Sequence, residues 1–214
     1  MAIPRTQVRR IPKRGANDRA TLDAILDEGI VCHVGFVEGA SPVVIPTGYV
    51  RDGDRLLLHG STASRLMQHL AAGKEVCITV TLLDAVVLAR SAFHHSMNYR
   101  SAVLFGKARR LPDETKNDVL AVYVERLLPG RWDTIRLPNA KELSGTVVVE
   151  FPIDEFSCKS RTGPPGDEPE DMDFPVWAGI VPVPTVVQPA TQDPQQKAMP
   201  TPPTVAAWRP NHRK

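Results

Sequence analysis

Chemistry could start at His59-Gly60-Ser61-Thr62-Ala63-Ser64-Arg65, where a glycine, three hydroxyls and an arginine stand between a strand-like and a helix-like stretch. A helix start offers free N–H groups and a partial positive charge, and a nearby arginine clamps phosphate oxygens. The same residues also make an ordinary serine cap. A second stretch, His94-His95-Ser96-Met97-Asn98-Tyr99-Arg100-Ser101, lies between two apolar runs. Adjacent strand positions point to opposite faces, so His94 and His95 do not readily share a metal. Asn98, Tyr99, Arg100 and Ser101 suit a phosphate or the polar edge of a heterocycle better. His94 or His95 is the candidate for proton transfer, because imidazole titrates nearest neutrality. A third stretch, Lys159-Ser160-Arg161-Thr162-Gly163-Pro164-Pro165-Gly166, joins basic residues to a rigid turn and leads through acidic residues 167–171 to Trp177. It reads either as a lid, with Lys159, Arg161 and Trp177 facing a ligand, or as a solvated loop with Trp177 plugging a barrel end.

The elements that position these stretches are legible in outline. Asn17 and Asp18 offer the cap of a helix whose apolar face is Leu22, Ile25 and Leu26, and Gly29 ends it as a C′ residue. Residues 30–37 and 42–51 read as strands, and Asp52-Gly53 signals a hairpin into a strand at 55–59. Residues 60–62 open a second helix, with Leu66, Met67 and Leu70 on its face and Gly73 at its end. Residues 75–88 and 99–109 are β-prone. Asp113 caps a helix over 114–128, and strands follow at 146–150 and 153–160. Hairpin-linked strands with inserted helices imply an α+β, mainly β, antiparallel sheet or barrel rather than a doubly wound fold.

Composition narrows the function classes. The chain has 214 residues, 42% hydrophobic and 23% charged, which is enough for one domain that buries its own core. Its 20 prolines concentrate late in the sequence. The expected division is a flexible basic arm at 1–14, a domain at 15–183 and a Pro-rich disordered tail at 184–214, which lacks the large apolar residues that offset ordering entropy. Lys and Arg total 26 against 24 Asp and Glu, so nucleic acid is not an expected partner. No apolar run reaches the ~20 residues of a membrane helix. The 3 cysteines form no C-x-x-C pair, so neither zinc nor a disulfide framework is expected, and the compartment reads as reducing and cytoplasmic. Rossmann, P-loop, zincin and nucleophile-elbow signatures are all missing.

Several segments together resemble a known family. They are Val44-Ile45-Pro46-Thr47-Gly48-Tyr49, Leu57-Leu58-His59-Gly60-Ser61, Asn98-Tyr99-Arg100-Ser101-Ala102-Val103-Leu104-Phe105-Gly106 and Pro175-Val176-Trp177-Ala178-Gly179-Ile180-Val181-Pro182. In order and spacing they resemble the FMN-binding split barrels related to pyridoxamine 5′-phosphate oxidase, in the branch of the nitroimidazole-resistance and flavin-nucleotide-binding proteins. The resemblance spans residues 6–182. It implies a six-stranded antiparallel split β-barrel with a few short helices, forming a homodimer with FMN in grooves at the interface. Pro46, Thr47, Gly48 and Tyr49 would line the isoalloxazine, and His59, Gly60, Ser61, Thr62, Ser64 and Arg65 would hold the phosphate. Asn98, Tyr99, Arg100 and Ser101 would complete the flavin contacts. The loop after His59 is shorter than in the nitroimidazole-resistance branch and lacks its additional histidine. The basic set that holds the substrate phosphate in the true oxidases is missing too, although Lys159 and Arg161 could substitute. The implied function is a flavin-dependent oxidoreductase acting on a small organic molecule. The alternative is a non-catalytic protein that binds or stores flavin or haem.

Overall fold

The computed structural model describes residues 4–209, so residues 1–3 of the expected arm and 210–214 of the expected tail lie outside it. The chain begins with a short strand β1 (Gly15–Ala16) and helix α1 (Arg19–Glu28). Strands β2 (Val31–Glu38), β3 (Ser41–Gly48), β4 (Val50–Asp52) and β5 (Arg55–Ser61) follow, then helix α2 (Arg65–Ala71). The two longest strands are β6 (Glu75–Leu88) and β7 (Ser96–Lys107). After β8 (Arg109–Arg110) come α3 (Lys116–Leu127) and α4 (Ala140–Ser144), then β9 (Thr146–Pro152) and β10 (Glu155–Arg161). A last strand β11 (Gly179–Pro182) and a short helix α5 (Pro203–Ala206) complete the described chain.

Every strand pairing is antiparallel. One sheet runs β1-β10-β7-β6-β2-β3 with β11 also on β6, and a smaller sheet runs β4-β5-β9-β8. This is the mostly β, antiparallel split-barrel architecture expected from the sequence, with short flanking strands raising the strand number above six. The two sheets enclose the main core. Cys32, Val34 and Phe36 of β2 meet Ile78 and Val80 of β6, Leu56 and Leu58 of β5, and Val147, Val149 and Phe151 of β9. Leu57 points the other way and packs with Val50, Val148 and Val119 under α3. All three leucines 56–58 are buried because the small sheet is covered on both faces.

The passage from β3 to β4 is fixed by one side chain. Tyr49 lies between the two strands with 2% exposure, and its hydroxyl donates to the Leu26 carbonyl at 2.7 Å. Leu26 O belongs to the last turn of α1, where carbonyls lack helical partners. Gly29 lets that turn approach. A Cβ there would lie 2.6 Å from Val80 Cγ1 and 2.7 Å from the Tyr49 hydroxyl. Its backbone is extended (φ −75°), so space rather than a left-handed turn requires glycine.

Several boundaries differ from expectation. α2 begins at Arg65 with Ser64 as its cap, not at residues 60–62. β5 instead continues to Ser61, because pairing with β9 extends to Ser61 opposite Thr146. Asp113 makes no cap hydrogen bond and binds Arg110 and Lys116. Neither α4 nor β11 was foreseen. At the N-terminal side Arg5 spans Glu75 and Glu155, each at 2.6 Å. Toward the C-terminus the Trp208 indole N–H donates to the Leu127 carbonyl at 2.5 Å. Among the described residues no helix is long and apolar enough to cross a membrane.

Gly29→Ala should lower the unfolding free energy by about 1–3 kcal/mol in urea titration, through overpacking at a core position. Gly166→Ala, where a Cβ meets open space, should shift it by no more than about 0.5 kcal/mol.

Candidate functional site

The stretches singled out by type and spacing fall into two groups. The first surrounds the ends of β3 and β5. Tyr123 of α3 stands over Gly48, where a Cβ would collide with its hydroxyl. The same ring meets His59 edge-on, with centroids 4.4 Å apart. Burial lowers the His59 pKa, so its neutral form is favoured. Pro46 is exposed and Thr47 half-buried, on a strand paired only with β2. Tyr49 cannot present its ring to a ligand here, because the ring is enclosed in the core by the bond to Leu26.

The hydroxyls of the 59–65 stretch are largely used within the chain. Ser61 Oγ accepts from Ala63 N at 3.2 Å, and Ser64 Oγ accepts from Met67 N at 3.4 Å as the helix cap. Thr62 is held by its backbone, with N–H on Gly145 O at 2.9 Å. Gly60 lets Met67 approach, since a Cβ would sit 2.9 Å from Met67 Cγ. Arg65 is exposed and faces Glu38 at 3.3 Å.

The second group gathers at one end of the large sheet. β7 lies between β6 and β10, which sets Tyr99 opposite Arg161, Arg100 opposite Ser160 and Ser101 opposite Lys159. Ser101 Oγ donates to Lys159 O at 3.2 Å. Arg100 is already engaged: it donates to Glu28 at 2.5 and 2.8 Å and to Asp84 at 2.7 Å. Both carboxylates raise its pKa, and a phosphate would have to displace one of them. Asn98 and Arg161 are both buried and bond to each other. Arg161 also donates to Gly163 O at 3.4 Å and Pro164 O at 3.2 Å, while Asn98 donates to Gly163 O at 3.1 Å. Arg161 therefore fastens the start of the following loop through neutral oxygens, and burial lowers its pKa.

That loop, residues 162–178, crosses the turn between β6 and β7. Asp167 accepts from Arg90 N and from Arg90 Nη1, both at 3.0 Å. His94 Nε2 lies 3.6 Å from Glu168, and His95 Nδ1 lies 3.0 Å from Ser91 O. Residues 92–94 form a helical turn rather than a strand, so the alternation expected for His94 and His95 does not apply. Trp177 is 65% exposed and packs its ring edge over Gly179. Met97, Val86 and Val181 are register partners across three strands and share a face, on which Met97 and Val181 are exposed.

Sequence reasoning did not single out one further apolar cavity. It lies at the opposite end of the large sheet, with a volume of about 560 Å³, lined by Phe36, Val37, Val43, Val44, Cys77 and Phe105 with His69, Lys74 and Arg5. The His69 ring stacks at 4.4 Å on Phe36, and its Nε2 faces the Glu75 carbonyl at 3.3 Å. The Arg5 guanidinium covers the Phe105 ring at 4.7 Å. His69 carries no motif. Only the fold brings it to the apolar tips of β2 and β3. Among the described residues no group of three or more His, Cys, Asp or Glu is placed to hold a metal ion.

Residues 18–160 match the family model described as pyridoxamine 5′-phosphate oxidase. The structure is similar to the flavocytochrome Anf3 from Azotobacter vinelandii, with TM-score 0.90 and 40% identity over 96% of each chain. It is similar to the FAD and haem binding protein from Mycobacterium smegmatis, with TM-score 0.86 and 38% identity over 90% of this chain and 95% of that one. A 5-nitroimidazole antibiotic resistance protein from Bacteroides thetaiotaomicron shares the fold at 21% identity, with TM-score 0.56, over 68% of this chain and 85% of that one. No curated protein matches the chain.

Tyr49→Phe should cost about 1–2 kcal/mol of stability, because the Leu26 carbonyl loses its buried donor. His59 titrates lower in the folded chain than its unfolded value of about 6.5. The unfolded chain therefore takes up this proton first as pH falls, and the His59 contribution is complete above about pH 6.5 and lost below it. His59→Gln should flatten the fall in urea midpoint between about pH 7.5 and 5.5, and an unchanged fall would assign that proton elsewhere.

Proposed function

Since the chain belongs to the pyridoxamine 5′-phosphate oxidase family, we propose that it binds a flavin and a haem and acts as an electron-transferring oxidoreductase. The observation that carries this reading is the likeness to a flavocytochrome at 40% identity over 96% of both chains. The Mycobacterium smegmatis relative, described as binding FAD and haem, supports it and favours FAD over the FMN implied by the sequence resemblance.

The haem belongs in the cavity of about 560 Å³, whose walls are apolar. His69 is its ligand. In the tautomer that donates from Nε2 to the Glu75 carbonyl, Nδ1 keeps a lone pair, and a ligating histidine typically donates its other nitrogen in this way. Lys74 at the rim suits a carboxylate of the porphyrin, whereas Arg5 is already held by Glu75 and Glu155. The flavin belongs at the other end, on the exposed face shared by Met97 and Val181, beside Tyr99 and Trp177. Two buried donors there, Arg90 Nε and Ser91 Oγ, have no acceptor, which fits a polar ligand. When bound, a flavin supplies one- and two-electron exchange and a haem one-electron exchange.

Around these groups the chain orients and shields. Trp177 limits water at the flavin face, and His94 or His95 moves protons to and from a small organic substrate. Phe93, Met97, Phe174 and Trp177 are exposed apolar side chains of the β6–β7 segment and the 162–178 loop, which a second copy would cover, giving a homodimer. Cys32 and Cys158 are buried and unpaired, which suits the cytoplasm. The second reading is a flavin and haem store without turnover.

Purified protein should show flavin absorption bands together with a Soret band, and light scattering should return the mass of a dimer. Flavin released by acid should chromatograph as FAD. His69→Ala should lose the Soret band and keep the flavin. A colourless protein that takes up neither added cofactor would sink the proposal, and a bound flavin that no reductant reduces would leave the storage reading.

A further inference from the structure

We propose that the outer face of the large sheet is the contact between two copies of this chain, and that the second copy supplies the missing wall of the haem cavity. The inference deepens the haem reading, and its second half rests on that reading. It starts from the distribution of charge. Burial alternates along the central strands. Cys32, Val34 and Phe36 of β2 and Ile78 and Val80 of β6 face the core, so the residues between them face out. One outward row, in register across β3, β2, β6 and β7, is Pro46, His33, Thr79 and Val103. From 31 to 37 on β2, 42 to 48 on β3, 77 to 83 on β6 and 97 to 105 on β7, the outward positions hold no Asp, Glu, Lys or Arg.

The chain as a whole is 23% charged, so a face this broad without charge is selective. Charges of both signs stand at its border, with Glu75 opposite Lys107 and with Glu155 and Lys159 on β10. A centre depleted of charge inside a charged rim is the anatomy of a protein contact. A rim of both signs suits a patch that meets itself about a two-fold axis. The exposed area leaves room for such a contact. The isolated chain exposes 13587 Å², whereas a compact monomer of 23.5 kDa exposes about 9,800 Å². The excess of about 3,800 Å² is larger than the roughly 1,000–2,500 Å² that each partner of an obligate homodimer covers, with a share left for the exposed segment 184–209. Met97 lies on the same face at its far end, so one contact covers it as well.

The haem cavity opens onto this face. Cys77 and Phe105, which are register partners, lie in its wall beside Gly35 and Val44. Val37 and Val44 are 62% and 63% exposed, so one side of the cavity is missing. Cofactor sites bury most of their ligand's surface. A porphyrin held here by one chain alone keeps part of its apolar area in water. A second copy on the face removes that area from water, so haem binding and dimerisation strengthen one another.

The test uses the full chain prepared without haem, with mass read by light scattering and haem uptake by the Soret band. His33→Glu and Thr79→Arg each place a charge in the centre of the face. His33 is exposed, so its replacement leaves folding intact. Both variants should be monomers at concentrations where wild type is a dimer, with unchanged circular dichroism. Each should bind added haem about tenfold more weakly, and saturating haem should draw the variants toward the dimer. Asn117→Arg, which puts a charge on an exposed position of α3 away from the face, should match wild type in both readings. A wild type that is monomeric, or variants that stay dimeric, would overturn the contact. Monomeric variants that bind haem as tightly as wild type would overturn the shared wall. If wild type takes up no haem, the haem reading falls, while the masses still decide the contact.

Discussion

β6 is 14 residues long, and β2 covers only part of its free edge. β2 pairs with Cys77, Ile78 and Thr79, while the strand continues to Leu88. An uncovered edge beside a core leaves backbone groups without partners and invites wrong pairing. The chain answers by returning after β10 to lay β11 against residues 85–88. Between the two partners a bulge at Leu83 and Ala85 turns Asp84 toward Arg100, which reaches across from β7 and also holds Glu28 at the end of α1. The return strand pulls the 162–178 loop over the β6–β7 turn. The arrangement of that end of the molecule follows from covering one long edge.

Three arginines at this end show how placement, not residue type, sets a role. Arg100 is enclosed by two carboxylates and serves as a structural tie. Arg161 is buried among neutral oxygens and fixes the start of the loop. Arg90 has one carboxylate, borrowed from the loop, and a nitrogen left over. A near-balanced total of 26 basic and 24 acidic residues conceals these differences. Most exposed pairs contribute little each, so the informative charges are the few that are buried and incompletely matched.

The two ends of the large sheet are chemically unlike. One presents an apolar cavity with a single imidazole and basic rim, the other an exposed apolar face beside polar strands. The small sheet, locked to α1 through Tyr49 and covered by α3, holds them in one rigid frame. The proposed flavin and haem sites follow that division.

The sequence by itself determined the features whose causes are local. Asp18 caps α1, Gly53 at φ +58° turns the β4–β5 hairpin, and the β-prone run 75–88 is β6 in full. Caps, positive-φ glycines and apolar periodicity act over a few residues, so they can be read one residue after another. Tertiary structure decided the rest. β5 runs past His59 because β9 pairs with it, and α2 starts later for that reason. Tyr49 became a core anchor instead of a ligand wall because the end of α1 lies within reach of its hydroxyl. His69, Tyr123 and Arg90 carry no local signature. Their significance comes from what residues far away in the chain place beside them, and only the folded backbone contains that information.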